Sequence, residues 1–571
     1  MKRNVETPTS RPDVRAGEPQ GDLLAERDRM LEEANAGCNE PDTGVVPGPK
    51  GSRRPAGAPT RENMENRLGE GRRRTAVKAA GAPSTLEWSA VDWRRVHKEV
   101  WRLQVRIAEA VRQGRWGKVR SLQRLLVRSR AAKLWAVRRV TTNKGKRTPG
   151  VDGVIWRGAR QKLAAVEALK RRGYRPQPLR RVYIPKKNQK LRPLSIPTMK
   201  DRAMQALYLL ALSPIAETSA DPNSYGFRLR RSVADAWAQC FIALAKGYAP
   251  EWVFEGDIES CFDRISHPWL LENIPMDREV LRKWLEAGYL ENATFYQTLA
   301  GTPQGGVISP VIANLALDGL ERAAREAAPR VNRETRPKVH VIRYADDFII
   351  TAASKELLVE RVIPAVKEFL AKRGLRLSPE KSRITQVSDG FEFLGADIRK
   401  SGQKLMMRPA KRNLFGFLRS LRDFLRSHRG AATWKVIQEL NRRIRGWVNF
   451  YRCLVSSRVF RKLDSALFRS LWRWACVRHP SKRSNWLKSK YFRQVGKRGW
   501  VLSAKVPRAD RQRVLFPELA GSYLALFQAS SVTIRRHVKV RADANPFDPS
   551  YDHYFRGRLR TPRTVVLGAV A

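Results

Sequence analysis

Val339-His340-Val341-Ile342-Arg343-Tyr344-Ala345-Asp346-Asp347-Phe348-Ile349-Ile350-Thr351 is the stretch that decides how this chain folds. Two β-forming apolar runs flank a pair of adjacent carboxylates. Burying two such charges unpaired inside a sheet would cost several kcal/mol. A hairpin turn that aims both at a divalent cation resolves the conflict, whereas an ordinary acidic turn would use Asp only for its turn hydrogen bonds.

The wider sequence favours the first reading. Upstream, Val253-Phe254-Glu255-Gly256-Asp257-Ile258-Glu259-Ser260-Cys261-Phe262-Asp263 again ends an apolar strand on an acid. Between Trp252 and Leu394 short β-type runs alternate with helices, which predicts an antiparallel sheet packed on helices, an α+β arrangement. Carboxylates at such strand ends are hard oxygen ligands. They suit two Mg²⁺ ions roughly 3.5–4 Å apart, one activating an attacking 3′-oxygen and the other steadying pyrophosphate. Phosphoryl transfer needs that positioning and charge neutralisation more than covalent help.

The bulk composition points to the partner. Over 571 residues there are 111 Lys+Arg against 54 Asp+Glu, a formal net charge of +57. That length exceeds a single hydrophobic core, so several domains are expected. A positive field of this size attracts polyanions, nucleic acid first. The charge is not a tail effect, since residues 1–80 hold 15 Lys+Arg and 13 Asp+Glu. With 8 Pro and 9 Gly and no periodicity, that opening stretch reads as disordered. It has no apolar signal core and is too acidic for a transit peptide. No apolar run reaches 18 residues, so no membrane span is expected. Five cysteines (Cys38, Cys240, Cys261, Cys453, Cys476) lack any C-x-x-C pair, which fits reduced thiols in a cytosol-like compartment.

Working outward, Trp93, Val96, Val100, Leu103 and Ile107 recur at helical spacing, pause at Gly114, and resume through Trp116, Val119, Leu122 and Leu126. This predicts two amphipathic helices with Arg-rich outer faces. The runs Arg181–Pro185 and Leu191–Ile196, joined by Lys186-Lys187-Asn188-Gln189-Lys190, predict a hairpin with a basic turn. Lys200–Ala216 is apolar enough for a buried helix. Residues 401–500 hold 26 Lys+Arg, 3 Asp+Glu and six Trp, and read as helices after about residue 408.

Taken together, Tyr344-Ala345-Asp346-Asp347, Asp257 with Phe262, and Gly301-Thr302-Pro303-Gln304-Gly305-Gly306-Val307-Ile308-Ser309-Pro310 resemble the reverse transcriptases encoded by group II introns. Arg192–Pro197, Ser224-Tyr225-Gly226-Phe227-Arg228, Gly374–Lys381 and Gly390–Gly395 resemble successive blocks of the same family, over roughly residues 148–400. The resemblance implies a right-hand polymerase of fingers, palm and thumb, followed by a helical maturase region. Its expected organisation is a disordered 1–84, a basic helical extension 85–147, fingers and palm 148–400, thumb and maturase helices 401–499, and a DNA-binding stretch 500–571. No clustered histidines follow, so no target-DNA nuclease is expected.

Residue by residue, the resemblance implies Asp257, Asp346 and Asp347 as catalytic metal ligands, with Ile258 lending its carbonyl oxygen to the Mg²⁺ pair. Lys186 and Arg192 would grip the incoming triphosphate, a point charge and a planar fork on phosphate; adjacent Lys187 offers the same charge. Phe262 would lie under the sugar and exclude a 2′-hydroxyl, plain core packing being its other reading. Gln304 would contact the nucleotide from a Gly-rich loop. Lys381 would support charge on, or give a proton to, pyrophosphate.

Leu440–Tyr451 resembles the family's maturase segment, and Arg442, Arg443 and Arg445 are expected on intron RNA. The implied partners are intron RNA, an RNA template, a DNA primer or target, and dNTPs. The implied setting is a bacterial cytoplasmic ribonucleoprotein that splices and retrohomes. Three other readings stay open: a domesticated reverse transcriptase in defence or repair, an RNA-templated RNA polymerase, and a splicing-only RNA-binding protein.

Overall fold

The computed structural model describes residues 87–185, 191–292, 294–302, 305–329, 337–513, 519–520 and 522–560. The expected disordered segment 1–84, Lys186 and Gln304 lie outside the described residues. The architecture is mixed α+β, with four small sheets among the described residues.

The amino-terminal helical region forms three helices rather than the expected two: Trp93–Arg112, Trp116–Arg128 and Arg130–Thr142. The extra break falls at Ser129, which leaves the helical region (φ −66°, ψ 139°) and accepts Ala132 N–H on its own hydroxyl. A side-chain oxygen that satisfies an orphan helix-start donor makes such a break cheap. All three helices pack on Met199–Ser219. Covered on many sides, that helix is buried almost from end to end, as its apolar sequence predicts.

The expected hairpin is present as β1 (Leu179–Pro185) and β2 (Leu191–Ile196), paired antiparallel from Arg180↔Ile196 to Pro185↔Leu191. Two short strands, β4 (Tyr289–Glu291) and β5 (Thr294–Tyr296), extend it.

The central sheet contains β3 (Trp252–Asp257), β6 (His340–Tyr344), β7 (Asp347–Ala352) and β8 (Arg383–Gln386) in the order β6-β7-β3-β8, every pair antiparallel. It separates the two hydrophobic cores. Phe254, Val341, Phe348 and Ile350 face the amino-terminal helices, while Val253, Ile342, Tyr344 and Ile349 face the carboxy-terminal half. Because successive side chains alternate faces, burial on both sides demands continuous apolar runs, and this is why Phe348-Ile349-Ile350 carries no polar residue. Gly256 is required locally. Opposite it in register lies Phe348, and a Cβ on residue 256 would come 2.3 Å from that ring.

Beyond β9 (Phe391–Phe393), β10 (Ala396–Ser401) and β11 (Lys404–Pro409) come the helices Lys411–Ser427, Thr433–Tyr451, Ser457–Arg478 and Ser484–Tyr491. The expectation of helices to residue 500 needs correction at its end. Phe492–Val495 (β12) and Arg498–Lys505 (β13) form a hairpin about Gly496 (φ +58°), which buries Phe492, Val501 and Leu502. The segment after the strand Tyr523–Ala525 folds back onto the chain. There the buried Asp235 accepts from Val540 N–H at 2.8 Å and pairs with His537 and Arg558.

Candidate active site

The turn between β6 and β7 brings the carboxylates to one end of the central sheet. Asp257, the last residue of β3, is in register opposite Asp347, the first of β7. Asp346 occupies the turn itself, after Ala345 in the left-handed region (φ +59°). A non-glycine residue there stores strain of order 1–3 kcal/mol and persists only where its surroundings impose it.

Those surroundings are specific. The Gly226 backbone presses on the turn so closely that a Cβ at 226 would lie 2.4 Å from Ala345 N and 2.8 Å from Tyr344 C. Arg343 N–H donates to Asn223 O at 3.0 Å, and Tyr225 N–H donates to Arg343 O at 2.9 Å. Arg343 is 1 % exposed, and its guanidinium donates to Asn314 Oδ1 at 3.1 Å and pairs with Asp318. Burial pushes the Asp318 carboxyl up to about 6, against the pull of Arg343.

The segment Arg376–Lys381 closes the other side. Ser378 N–H donates to Asp257 O at 2.8 Å, Glu259 N–H to Arg376 O at 3.0 Å, and Ile258 bridges Leu377. Lys381 Nζ donates to Asp257 Oδ2 at 2.7 Å. That bond, with the charges of Asp257, Asp346 and Asp347, holds the Lys381 ammonium above its usual range. Cys261 lies in the same negative field, and burial followed by Asp346 pushes its thiol well up. It therefore stays a thiol.

Among the described residues no three His, Cys, Asp or Glu side chains stand close enough to hold a metal ion by themselves. Asp257 instead has an ammonium as its counter-charge. A carboxylate set that draws in a cation fits hard divalent ions in its donor chemistry.

The remaining expected contacts are distributed around this end. The half-buried Phe262 ring meets Phe227 edge-to-face at 6.1 Å. Thr302 N–H donates to Phe262 O at 2.5 Å, and a Cβ at Gly301 (φ +85°) would lie 2.5 Å from that oxygen. The loop then touches β2, where a Cβ at Gly305 would come 2.6 Å from Ser195 O. Arg192 is exposed on the same strand.

Arg442, Arg443 and Arg445 lie apart from this cluster on Thr433–Tyr451, and all three are engaged within the protein. Arg442 and Arg443 donate to Glu439 at 2.7–2.8 Å. Arg445 stacks over Phe527 at 4.1 Å. A row of exposed cations stands on the next helix: Arg458, Arg461, Lys462, Arg469 and Arg473, with Phe468 37 % exposed among them. Sequence reasoning passed over Asn314 and Asp318 as site residues. A lone polar residue in Pro310-Val311-Ile312-Ala313-Asn314-Leu315-Ala316-Leu317 was the signal that could have found Asn314. None of the described helices is long and apolar enough to cross a membrane.

Comparison with known proteins agrees with these features. Residues 184–398 match the family described as reverse transcriptase (RNA-dependent DNA polymerase), 88–169 the N-terminal domain of reverse transcriptase, and 416–492 the group II intron, maturase-specific domain. Protein YkfC of Escherichia coli is 35% identical over 297 residues, covering 46% of this chain and 78% of YkfC. The group II intron-encoded protein LtrA of Lactococcus lactis is 32% identical over 327 residues, covering 46% of this chain and 54% of LtrA. A solved telomerase from Candida albicans aligns at 12% identity and TM-score 0.31, over 55% of this chain and 65% of that one, too slight a likeness to carry weight. With its reverse transcriptase, N-terminal and maturase-specific segments all matched, the chain belongs to the group II intron reverse transcriptase/maturase family and carries an RNA-dependent DNA polymerase domain.

Proposed function

We propose that the chain copies intron RNA into DNA during retrohoming and binds that RNA as a splicing maturase. The observation that carries the polymerase site is the convergence of Asp257, Asp346 and Asp347 at one sheet end, facing the Lys381 ammonium. In this reading the right hand has β1–β2 in its fingers, the central sheet as its palm, and the helices from Lys411 on as its thumb and maturase region.

Asp257, Asp346, Asp347 and the Ile258 carbonyl would hold two Mg²⁺ ions, which supply charge neutralisation at the transferring phosphoryl group. Lys186 and Arg192 bind the triphosphate of the dNTP and orient it. Gln304 contacts the nucleotide, and Phe262, braced by Phe227, presents a ring to the sugar that disfavours a 2′-hydroxyl. Lys381 exchanges Asp257 for pyrophosphate as charge develops there. RNA binding falls to the exposed Arg458–Arg473 face as well as to Arg442, Arg443 and Arg445, and residues 500–571 take the DNA target.

Primer extension on an RNA template in Mg²⁺ tests this. The protein should make cDNA from dNTPs in strong preference to rNTPs, and Asp346→Ala should make none. Failure of the unaltered protein to extend, or extension by Asp346→Ala, would remove the site assignment. Splicing of a cognate intron RNA that survives in Asp346→Ala would establish the maturase role separately.

A further inference from the structure

The carboxylate turn hangs on a buried polar junction that the chemistry of nucleotide transfer does not itself use. Arg343, three residues before Asp346, is fully buried and held at its backbone by Asn223 and Tyr225 and at its two terminal guanidinium nitrogens by Asn314 and Asp318. Asn314 has a second partner. Its Nδ2 donates to Gly226 O at 2.7 Å, and Gly226 is the residue wedged against Ala345. One side chain on the helix Ser309–Leu317 therefore grips both what precedes the turn and what presses on it. Its helix neighbours Ile312, Ala313, Ala316 and Leu317 are buried and apolar, so packing alone would be served by another apolar residue.

We propose that Asn314 and Arg343 are positioning residues, which fix the Ala345–Asp346 turn at the height where Asp346 and Asp347 face Asp257. This rests on the reading of those aspartates as the polymerase site. Neither residue need touch the nucleotide. Asn314 supplies an amide donor to one segment and a carbonyl acceptor to the other, and does both without carrying a charge.

Asn314→Asp in the full-length protein separates the two roles, since it keeps the acceptor for Arg343 and replaces the donor to Gly226 O by an oxygen. Arg343→Lys keeps the charge facing Asp318 and loses the fork. The assay is single-turnover extension of a DNA primer on RNA at saturating dNTP, recording rate constant and burst amplitude, alongside thermal midpoint and primer–template affinity. Misplacement of reacting groups by about 1 Å costs on the order of 10²-fold. Asn314→Asp should therefore lower the rate constant roughly 10- to 100-fold, with burst amplitude and primer–template affinity within about twofold of the parent. Arg343→Lys should lie between the parent and Arg343→Met. A loss confined to burst amplitude, tracking the thermal midpoint, would mean a structural role only and overturn the proposal, as would parental rates in both Asn314→Asp and Arg343→Lys. Asp346→Ala runs beside them: if it extends primers normally, it is the site reading that fails.

Discussion

Arginine is used in opposite ways at the carboxylate turn and along the helix Ser457–Arg478. At the turn, Arg343 is enclosed, its guanidinium directed at Asn314 and Asp318 and its backbone held by two more bonds. On the helix, Arg458, Arg461, Arg469 and Arg473 lie in solvent, each within a turn or two of the next. A site that moves phosphoryl groups needs its charges fixed before substrate arrives. A surface that holds a long polyanion gains from counterion release, which tolerates loose geometry. The two regions should thus answer mutation differently: one in rate, the other in affinity and its salt dependence.

The sharpest way to break this contrast is at the carboxylates. Asp257→Asn or Asp346→Ala should lower extension by roughly 10³-fold, the top of the range for removing one group that stabilises transition-state charge, while RNA affinity measured by filter binding stays within about twofold. A parallel collapse of RNA binding would mean that the two regions are not separable. Gly226→Ala comes next. Its Cβ would press within 2.4 Å of Ala345 N, and overpacking of this kind costs about 1–3 kcal/mol. A fall in extension of roughly 10- to 100-fold, larger than the reduced stability explains, is expected in single-turnover assays. Parental activity with a lowered thermal midpoint would show that the turn tolerates displacement.

On the basic helix the expected effects are smaller and salt-dependent. Replacing Arg461, Arg469 and Arg473 together by Gln should weaken RNA binding at low salt and flatten the plot of log K against log salt, by about 0.7–0.9 for each phosphate no longer neutralised. Extension at saturating template should be unchanged. Arg443→Gln should do less to RNA affinity and more to folding. Burial pushes the Glu439 carboxyl up, and its two arginines hold it below its usual range, so the variant removes one of the three hydrogen bonds in that hold. If Arg443→Gln cut affinity more than the triple variant, the exposed face would lose its assignment.

What could be read without the structure follows from whether a signal is local. Asp346-Asp347 between two β-forming runs breaks the period at one point, so the hairpin was legible, and so was the pairing of β1 with β2. Arg442 and Arg443 could also have been read better, because Glu439 lies three and four residues before them, the spacing of intrahelical ion pairs. As a lone polar residue among apolar neighbours Asn314 stood out, but what it holds was beyond reach. Its partners Gly226 and Arg343 are 88 and 29 residues away, and only the folded chain brings them together. The break at Ser129 has no Gly or Pro to mark it, and the β12–β13 hairpin hides in a composition that elsewhere makes helices. Local chemistry marks catalytic residues; the residues that aim them are marked by tertiary structure.

The enclosed region should also betray itself by titrating where the exposed one does not. Asp318 has its carboxyl pushed up to about 6 by burial, with Asp221 adding to the rise and Arg343 and Arg228 opposing it. In the unfolded chain it should titrate near about 3.9. A folded value above the unfolded one means that the native state binds the proton more tightly, so this group's contribution to stability is complete below about pH 4 and is lost as pH rises towards about 6. Asp318→Asn cannot titrate and mimics the protonated form. Measured as paired thermal midpoints, the variant should gain on the parent between about pH 4 and 6, and the difference should level off above that. Other titrating groups, Glu321 among them, are common to both proteins and largely cancel. Substituting the exposed Arg469 by Gln should leave the paired difference flat across the same window. A flat difference for Asp318→Asn as well would mean that the cost of burying the Asp318 carboxylate is fully offset in the folded protein, by water or by Arg343.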